Sequence, residues 1–238
     1  MEVAILKEII KETDKNWRFI FESPLYDKID FIPGQLVQIQ ANVPGFNDPV
    51  VRNYSVASWP DNSNCFELIV TYLSGGAMSE FLFNYIEPGD EILYKGPMGI
   101  FTLPDNLMDR DIYFVSTGSG ISPFRSMVNY LYENKVPFKN IKLFFGTRTQ
   151  KDIVYRKELE FLDKNLENFE YIPTLSQEKD SGLNEGYVHD HYLKLIDELP
   201  DKPLVYYCGW NRMIKEGRLH LDKRGFQMMK DIRVEIFG

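Results

Sequence analysis

Two glycines lie in a short segment whose composition is typical of a phosphate-binding turn. Residues 116–123, with the sequence STGSGISP, follow the apolar run 112–115 and precede a helix predicted over residues 123–134. Where a buried strand turns into a helix, free backbone N–H groups and the positive end of the helix dipole favour a phosphate. Pro123 suits the first helical turn, and Ser122 is predicted to cap the helix.

A second segment carries groups that suit the rest of a nucleotide. Arg52, Tyr54 and Ser55 place a cation, a flat ring and a hydroxyl within four residues, and on a strand Arg52 and Tyr54 share one face. Arg can clamp a pyrophosphate, Tyr can cover an aromatic ligand, and Ser can hydrogen-bond a ring nitrogen. Each segment has a simpler interpretation: a ligand-free turn, because Pro123 replaces the third glycine of the ordinary dinucleotide fingerprint, and an exposed arginine beside a barrel tyrosine.

The elements that position these segments differ between the two halves of the chain. Over the first hundred residues, short alternating runs such as Trp17, Phe19 and Phe21 are separated by turn residues, which predicts a small antiparallel barrel. One short helix is predicted over residues 79–86. From residue 111 onward, apolar runs alternate with helical stretches, which indicates a parallel sheet covered by helices on both faces.

The pattern breaks around residues 103–110, so we predict two domains. The first is an antiparallel β-barrel over residues 1–103, and the second is an α/β domain with a parallel sheet over residues 110–238. The strands predicted for the second domain are residues 112–115, 141–145, 171–172, 204–207 and 232–236. Its predicted helices are residues 123–134, 155–165, 190–198 and 212–223.

Composition argues against several classes of function. The chain has 238 residues and a net charge of -8, which argues against nucleic acid as a general partner. Its two cysteines, Cys65 and Cys208, cannot form an iron–sulfur cluster, its three histidines show no ligand spacing, and no metal is predicted. Without an apolar run of membrane-spanning length or a signal peptide, no membrane span is expected and a cytoplasmic location is predicted.

Five short motifs follow one another along the chain. They are Arg52-x-Tyr54-Ser55, Gly96-Pro97-x-Gly99-x-Phe101, Thr117-Gly118-x-Gly120-x-x-Pro123, Gly146-x-Arg148 and Cys208-Gly209-x-x-x-Met213. Together they resemble the ferredoxin–NADP reductase superfamily, which includes flavodoxin reductases and cytochrome b5 reductases. The resemblance covers nearly the whole chain and implies a Greek-key FAD-binding barrel followed by an α/β domain that binds the nicotinamide cofactor. The implied activity is that of an FAD-dependent NAD(P)H oxidoreductase without an iron–sulfur domain.

In the first domain, the resemblance implies which residues bind FAD. Arg52 would face the pyrophosphate, Tyr54 would stack on the isoalloxazine, and Ser55 would lie near flavin N5. A loop that resembles the family's second pyrophosphate loop would bind through backbone N–H groups, with Ser79 adding a donor, and a plain hairpin turn is the alternative there. The other flavin-binding residues implied by the resemblance are Val70, Tyr72, Gly76 and Met78.

In the second domain, the resemblance places Gly118 and Gly120 against the pyrophosphate of the nicotinamide cofactor. Cys208 would lie beside the nicotinamide, so Ser55 and Cys208 are the predicted catalytic residues. Cys208 would pack against and orient the ring rather than act as a thiolate. The remaining implied contacts are Thr117, Pro123, Arg148, Ser176, Gly209, Met213 and Phe237, the last of which either reaches the flavin or only closes the sheet.

The choice between the two nicotinamide cofactors depends on the segment after Leu175. NADP-using relatives often carry Ser-Arg there, whereas here Ser176 is followed by Gln177. A neutral amide cannot supply the cation that a 2′-phosphate favours, although Arg148 and Lys179 could compensate. We predict a mild preference for NADH over NADPH.

The predicted function is transfer of electrons from NAD(P)H through FAD, singly, to a separate carrier protein such as ferredoxin or flavodoxin. The alternatives are the reductase component of an oxygenase, a free-flavin or ferric reductase, and a non-catalytic electron-transfer subunit. A basic C-terminal segment predicts a docking face for an acidic carrier, with a solvated helix face as the alternative. Its basic residues are Lys202, Arg212, Lys215, Arg218, Lys223, Arg224, Lys230 and Arg233.

Overall fold

Two six-stranded sheets, one in each half of the chain, form the framework of the computed structural model, which describes residues 1–236. Phe237 and its predicted contact with the flavin lie outside the described residues. The first sheet is antiparallel and the second is parallel, as the change of pattern near residue 105 predicts.

The first sheet has the strand order β4-β3-β6-β1-β2-β5. Because β6 lies between β3 and β1, the order is that of a Greek key rather than a meander. No backbone ladder joins β4 to β5 within residues 1–236, so the barrel is open along that side. The strands are β1 Glu2–Lys11, β2 Asn16–Glu22, β3 Leu36–Ala41, β4 Val50–Ser55, β5 Cys65–Thr71 and β6 Glu91–Met98, with the helix α1 at Ala77–Asn84 between the last two.

The second sheet has the order β10-β9-β8-β7-β11-β12, and all its strands are parallel. Helices α2 and α3 cover one face and helices α4 and α5 cover the other, so the central strands are buried on both faces and read as apolar runs. The strands are β7 Ile112–Thr117, β8 Ile141–Thr147, β9 Phe169–Leu175, β10 Asn184–Glu185, β11 Leu204–Gly209 and β12 Ile232–Ile236. The helices are α2 Ser122–Glu133, α3 Arg156–Asn165, α4 Val188–Glu198 and α5 Asn211–Asp222.

The order of the second sheet reverses between β7 and β11. The chain runs from β7 outward to β8 and β9, and from β11 outward to β12, so a crevice opens at the carboxyl ends of β7 and β11. Ligands of open α/β sheets bind at such a switch point. The Gly118 turn follows β7, and Cys208 lies near the end of β11, so both predicted segments meet there.

The two domains share an apolar contact. The ring of Phe101, which follows the first sheet, lies 5.8 Å from the ring of Phe124 and 5.3 Å from that of Tyr206. Ala57 and Ile69 of the first domain belong to the same buried cluster. Burial of apolar surface of this kind holds the domains together but is not directional.

Candidate functional site

A cleft of about 760 Å³ lies on the open side of the barrel, between β4 and β5. Its floor comes from these strands and from the loop that enters α1. Its opposite wall comes from the second domain, through Ser119, Ser122, Glu235 and Ile236. The cleft is therefore formed by both domains.

Strand β4 brings the three residues of the first predicted motif to this cleft. Arg52 is exposed, and the only hydrogen bond of its guanidinium within residues 1–236 goes to the carbonyl oxygen of Val51 at 2.7 Å, so its charge is available. Tyr54 is half-buried, and burial raises the pKa of its phenol, which outweighs the opposite effect of Arg52. The ring therefore offers a neutral face, while Ser55 is buried at the end of the strand.

The loop after β5 is held by its own polar groups. The Ser79 hydroxyl accepts the Leu73 N–H at 3.2 Å and lies 3.0 Å from the carbonyl oxygens of Leu73 and Gly76. In this structure the hydroxyl of Ser79 holds the loop, and its role as a donor to a phosphate stays a prediction. Gly76 is instead the residue before the first turn of α1, which leaves backbone N–H groups of that turn at the cleft.

Two other residues predicted on this side differ in position. Val70 lies within β5 and lines the cleft together with Met78. Tyr72 lies one residue beyond β5, with its ring 5.2 Å from that of Phe83. The structure thus brings Val70, but not Tyr72, to the wall where the flavin is expected.

The glycine turn of the second domain is a 3₁₀ turn over Gly118–Ile121. Gly118 has φ +57°, in the region that favours glycine, and a side chain at Gly120 would overlap the carbonyl oxygen of Cys208. Gly120 is therefore required by packing against β11. The predicted cap is wrong: Ser122 lies inside the helix and donates its hydroxyl to the carbonyl oxygen of Ser119 at 2.7 Å, so it accepts no N–H of the first turn.

Three strands meet where the two domains face each other. The Ser55 hydroxyl, at the end of β4, donates a hydrogen bond to the carboxylate of Glu235 on β12. Glu235 is the register partner of Cys208 on β11, whose side chain is fully buried. Glu235 is therefore hydrogen-bonded to one predicted catalytic residue, Ser55, and paired in register with the other, Cys208.

Burial changes the ionisation of this group of side chains. It raises the pKa of Glu235 from its ordinary 4.5 to about 7, and the hydrogen bond from Ser55 opposes the shift without cancelling it. Burial and the nearby Glu235 raise the pKa of Cys208 well above its ordinary value, so the thiol stays neutral. This agrees with the expectation that Cys208 packs rather than attacks.

Glu235 is a residue that sequence reasoning does not assign to the site. The available signal is a single acidic residue within the otherwise apolar end of a terminal strand, Ile232–Ile236. Its partner Ser55 lies 180 positions earlier, and no local pattern connects them.

Trp210 is a second residue that sequence reasoning missed. It is 57 % exposed, its backbone N–H donates to the Thr117 hydroxyl at 3.1 Å, and its indole nitrogen lies 3.4 Å from where a Gly118 Cβ would stand. Gly209 has φ +133° and packs so closely on Thr117 that a side chain there would overlap it. The indole is thus held beside the glycine turn, with no acceptor for its N–H within residues 1–236.

The residues expected to discriminate between NADH and NADPH lie in the segment that follows β9 and in the one that follows β8. The backbone N–H and hydroxyl of Ser176 both donate to the carbonyl oxygen of Thr147, at 3.0 and 3.2 Å, and the Gln177 N–H donates to that of Arg148 at 2.9 Å. Arg148 is exposed, and its guanidinium makes no hydrogen bond within the described part of the chain. The Glu178 carboxylate accepts the Gln150 N–H at 2.8 Å, so an anion joins the two segments that carry the predicted cations, Arg148 and Lys179.

The remaining predicted contacts are buried. Pro123 lies in the first turn of α2. Met213 lies in α5 and packs with Tyr207 and Ile214 against the sheet, outside the cleft lining. Within residues 1–236, no group of three or more histidine, cysteine, aspartate or glutamate side chains is arranged to hold a metal ion.

Comparison with known proteins gives two family matches and several curated relatives. The oxidoreductase FAD-binding domain family matches residues 4–103, and the oxidoreductase NAD-binding domain family matches residues 114–218. The chain is 38 % identical over 190 residues to ferredoxin–NADP reductase B of Sorangium cellulosum, an alignment covering 77 % of this chain and 76 % of that protein. The chain belongs to the ferredoxin–NADP reductase superfamily.

Two further relatives are longer than this chain or share less of its sequence. This reductase is 28 % identical over 199 residues to the electron transfer component of anthranilate 1,2-dioxygenase from Acinetobacter baylyi, covering 83 % of this chain but 55 % of that protein. It therefore spans about half the length of that relative. The crystal structure of a ferredoxin NADP+ reductase from Neisseria gonorrhoeae shares the fold, with a TM-score of 0.83 and 21 % identity over 98 % of this chain and 97 % of that one.

The protein is thus a flavin-dependent NAD(P)H oxidoreductase, and its own residues suit the two cofactors. A half-buried aromatic ring, a free guanidinium and the start of a helix line the flavin-domain side of the cleft. Ser119 and Ser122 near the glycine turn and Glu235 and Ile236 of β12 form the nicotinamide-domain side, whereas the neutral Cys208 thiol is fully buried and lies outside that lining. No helix within residues 1–236 has the length and apolar character needed to cross a membrane.

Proposed function

We propose that this reductase takes a hydride from NADH onto FAD held in the cleft and passes electrons singly to a separate carrier protein. The observation that carries the proposal is the hydrogen bond between Ser55 and Glu235, because it joins the flavin-side strand β4 to the nicotinamide-side strand β12. Bound FAD supplies the hydride-accepting ring and the conversion of an electron pair into single electrons.

On the flavin side, residues of the first domain bind FAD and orient its ring system. Arg52 neutralises pyrophosphate charge. The backbone N–H groups at the start of α1 donate further hydrogen bonds to the pyrophosphate, so no second cationic side chain is needed there. Tyr54 covers the ring system, and its neutral phenol avoids an unpaired buried charge. Ser55 lies at the strand end nearest the second domain, and the hydrogen bond from its hydroxyl to Glu235 fixes this strand end beside the reacting edge.

On the nicotinamide side, the chain positions the second ring and excludes water. The Gly118 turn and the Trp210 indole N–H offer donors to the cofactor's phosphates. Cys208, fully buried and neutral, supports this side as a small apolar residue packed beside the cleft-lining Glu235, its register partner. Hydride transfer requires no side-chain base, so alignment of the two rings is the main contribution of these residues.

Preference for NADH is supported by the charges around Ser176. Gln177 offers no cation, and the Glu178 carboxylate on the Gln150 N–H disfavours an additional phosphate dianion nearby. Arg148 remains as a free cation, which keeps the preference mild.

For the acceptor, the proposal is an acidic carrier such as ferredoxin or flavodoxin. Part of the basic C-terminal segment is engaged within the protein, since Arg212 pairs with Glu216 at 2.8 Å and Arg224 pairs with Asp197 at 2.7 Å. The exposed basic residues of this segment that form no ion pair within residues 1–236 are Lys202, Lys215, Lys223 and Lys230, and of these the Lys202 ammonium donates to the carbonyl oxygen of Gly225.

A role as the reductase component of an oxygenase is the second candidate. It is supported by the relatives named as electron transfer or reductase components of dioxygenases and monooxygenases. In that case, the natural acceptor would be a centre on the partner protein, and the chemistry of the cleft would be the same.

Anaerobic titration of the purified protein with NADH and with NADPH tests the proposal. The protein should be yellow, should bleach with about one equivalent of NADH, and should then reduce added ferredoxin or flavodoxin. A colourless protein that takes up no FAD would refute it, and bleaching without reduction of either carrier would favour the oxygenase role.

A further inference from the structure

A buried ionic cluster crosses the boundary between the two domains. It consists of Arg18 and Glu67 from the first domain and Arg125, Tyr155 and Glu158 from the second, and we call it the interdomain cluster. The side chains of Arg125 and Glu67 are only 5 % and 8 % exposed. Ions so deeply buried need nearly complete pairing.

Arg125, in helix α2, uses its guanidinium fork on both domains. Nη1 donates to the carbonyl oxygen of Ala57 at 2.9 Å and to the Glu67 carboxylate at 3.1 Å, both in the first domain. Nε and Nη2 donate to the two oxygens of Glu158 in α3, each at 2.8 Å. The planar fork therefore fixes its direction relative to three elements at once.

Glu67, in strand β5, receives hydrogen bonds from the second domain as well as from its own. Besides Arg125, it accepts the Tyr155 hydroxyl at 2.6 Å and two N–H groups of Arg18 at 2.9 and 2.7 Å. Burial alone would raise the pKa of Glu67, but Arg18 and Arg125 outweigh it and hold the pKa below its ordinary value. Tyr155 makes a second contact between the domains, since its backbone N–H donates to the carboxylate of Glu12 in the first domain at 2.8 Å.

The interdomain cluster lies a few residues from the groups proposed to bind the two cofactors. In β5, Glu67 is followed by Ile69, Val70 and Thr71, which line the cleft. In α2, Arg125 lies three residues after Ser122, which lines the opposite wall. A change in the angle between the two domains at the interdomain cluster is therefore transmitted to both sides of the cleft, through β5 on one side and the first turn of α2 on the other.

Stability alone does not explain ions at this boundary. A buried ion pair is often no more stabilising than apolar residues of the same volume, and its best-attested use is to fix one arrangement among several. The neighbouring apolar contact around Phe101 holds the domains without fixing an angle. Resting on the proposed function, we propose that Arg125 and Glu67 are positioning residues that set the angle between the domains and so the alignment of nicotinamide and flavin.

Replacement of Glu67→Gln in the FAD-loaded protein tests this. The variant keeps the shape but loses the charge that Arg125 and Arg18 share. We expect flavin reduction at saturating NADH, measured by anaerobic stopped flow, to slow by about tenfold or more, because small misplacements of reacting groups are costly. The long-wavelength absorbance of the stacked reduced flavin and NAD+ should weaken, while FAD content is unchanged and the NAD+ dissociation constant changes less than about threefold.

A double variant separates positioning from stability. Glu67→Gln combined with Arg125→Met removes both deeply buried charges, and the partners left behind, Arg18 and Glu158, are partly exposed, at 21 % and 29 %, so the unfolding temperature should recover toward that of the wild type. The slow reduction and weak absorbance band should persist, because the directional contacts remain absent. Recovery of the rate and the band in the double variant would overturn the proposal, as would an unchanged rate and band in the folded single variant.

The matched control is Asp231→Asn. Asp231 is also buried and pairs with Arg110 at 3.1 Å, but both lie in the second domain. This variant should unfold at a lower temperature with an unchanged rate and band, and equal slowing in this control would overturn the proposal. If Glu67→Gln gives no folded flavoprotein, the same measurements on Arg125→Lys decide: a weakened band supports the proposal and an unchanged band overturns it.

The two levels of inference fail in different ways. A wild-type flavoprotein that neither NADH nor NADPH reduces would refute the proposed function. A wild-type protein that is reduced normally, with variants that match it, would refute only the positioning role of Arg125 and Glu67.

Discussion

Glu235 lies in the middle of the site, and burial changes its ionisation from that of a solvent-exposed glutamate. Its carboxyl group is hydrogen-bonded to Ser55 and opposite Cys208 in register, and burial raises its pKa to about 7. Between pH 4.5 and 7, the folded protein therefore retains a proton that the unfolded chain has released. Such a group contributes to the free energy of unfolding at low pH, and the contribution is lost as the pH rises through this range.

Glu235→Gln should remove this pH dependence. The free energy of unfolding of the variant, minus that of the wild type, should increase as the pH rises from 4.5 to 7. The increase should be roughly 3 kcal/mol at most, and the difference should not change further above pH 7. Urea unfolding of both proteins at pH 5 and pH 8 measures the difference. Glu91→Gln, at an exposed position of β6, is the control and should show a constant difference. A pH-independent difference for Glu235→Gln would contradict the assigned ionisation.

Gln177 is the residue at which cofactor choice can be altered directly. Gln177→Arg places a guanidinium next to Arg148 and Ser176, where a 2′-phosphate is expected, and a charge-assisted pair of this kind is worth about 1.5–3 kcal/mol. We expect kcat/KM for NADPH to rise by roughly tenfold, with NADH changed less than about twofold. Steady-state kinetics with both cofactors measure the ratio, and Gln177→Met is the control. An unchanged ratio would place the 2′-phosphate elsewhere.

At the scale of elements, the sequence predicts helices and strands that follow from a local pattern, and it does not predict those that depend on contacts with distant residues. The strand, glycine turn and helix around Gly118 follow from spacing alone, and the structure places β7 and α2 there. Helix α1 begins at Ala77 rather than Ser79, because Gly76 precedes its first turn. Strand β1 is not predicted, since its charged residues interrupt the apolar alternation and its assignment depends on pairing with β2 and β6.

The interdomain contacts show the same limit at the level of side chains. Glu67 and Arg125 lie 58 positions apart, and Glu67 and Tyr155 lie 88 positions apart. In the sequence, Glu67 reads as one polar residue on the solvent face of an alternating strand, yet the second domain covers that face. Only the packing of one domain on another makes such a residue buried and paired.

The glycine turn acts together with β11, and Gly120→Ala tests this connection. An added methyl group would overlap the Cys208 carbonyl oxygen, so the turn or the strand end must move. We expect flavin reduction by NADH to slow by about tenfold or more while FAD content stays normal, because the shift is confined to the nicotinamide side. Gly182→Ala is the control, because its φ of +78° also strains an alanine, but in a loop with nothing within 4 Å of the added atom. Normal reduction in Gly120→Ala would show that this close approach does not position the cofactor.

At the scale of the whole molecule, the distribution of charge matters more than its sum. The chain is acidic overall, with a net charge of -8, yet Lys215, Lys223 and Lys230 are exposed near its C-terminal end. Complementary charge raises the rate of encounter between proteins more than it raises their affinity, and salt screens it over about 10 Å. A local basic face can therefore steer an acidic carrier despite the acidic total.

Lys223→Glu tests this face through the reaction with the acceptor. Reversing one exposed charge should slow reduction of an acidic ferredoxin or flavodoxin by about threefold to tenfold at low ionic strength, and the effect should fade as salt is added. Reduction of ferricyanide, which needs no protein docking, should be unaffected. Lys164→Glu introduces the same change on α3, which packs on the opposite face of the second sheet from α5, and serves as the control. If ferricyanide reduction falls equally, or if Lys164→Glu slows the carrier as much, the lysine at 223 has no part in docking.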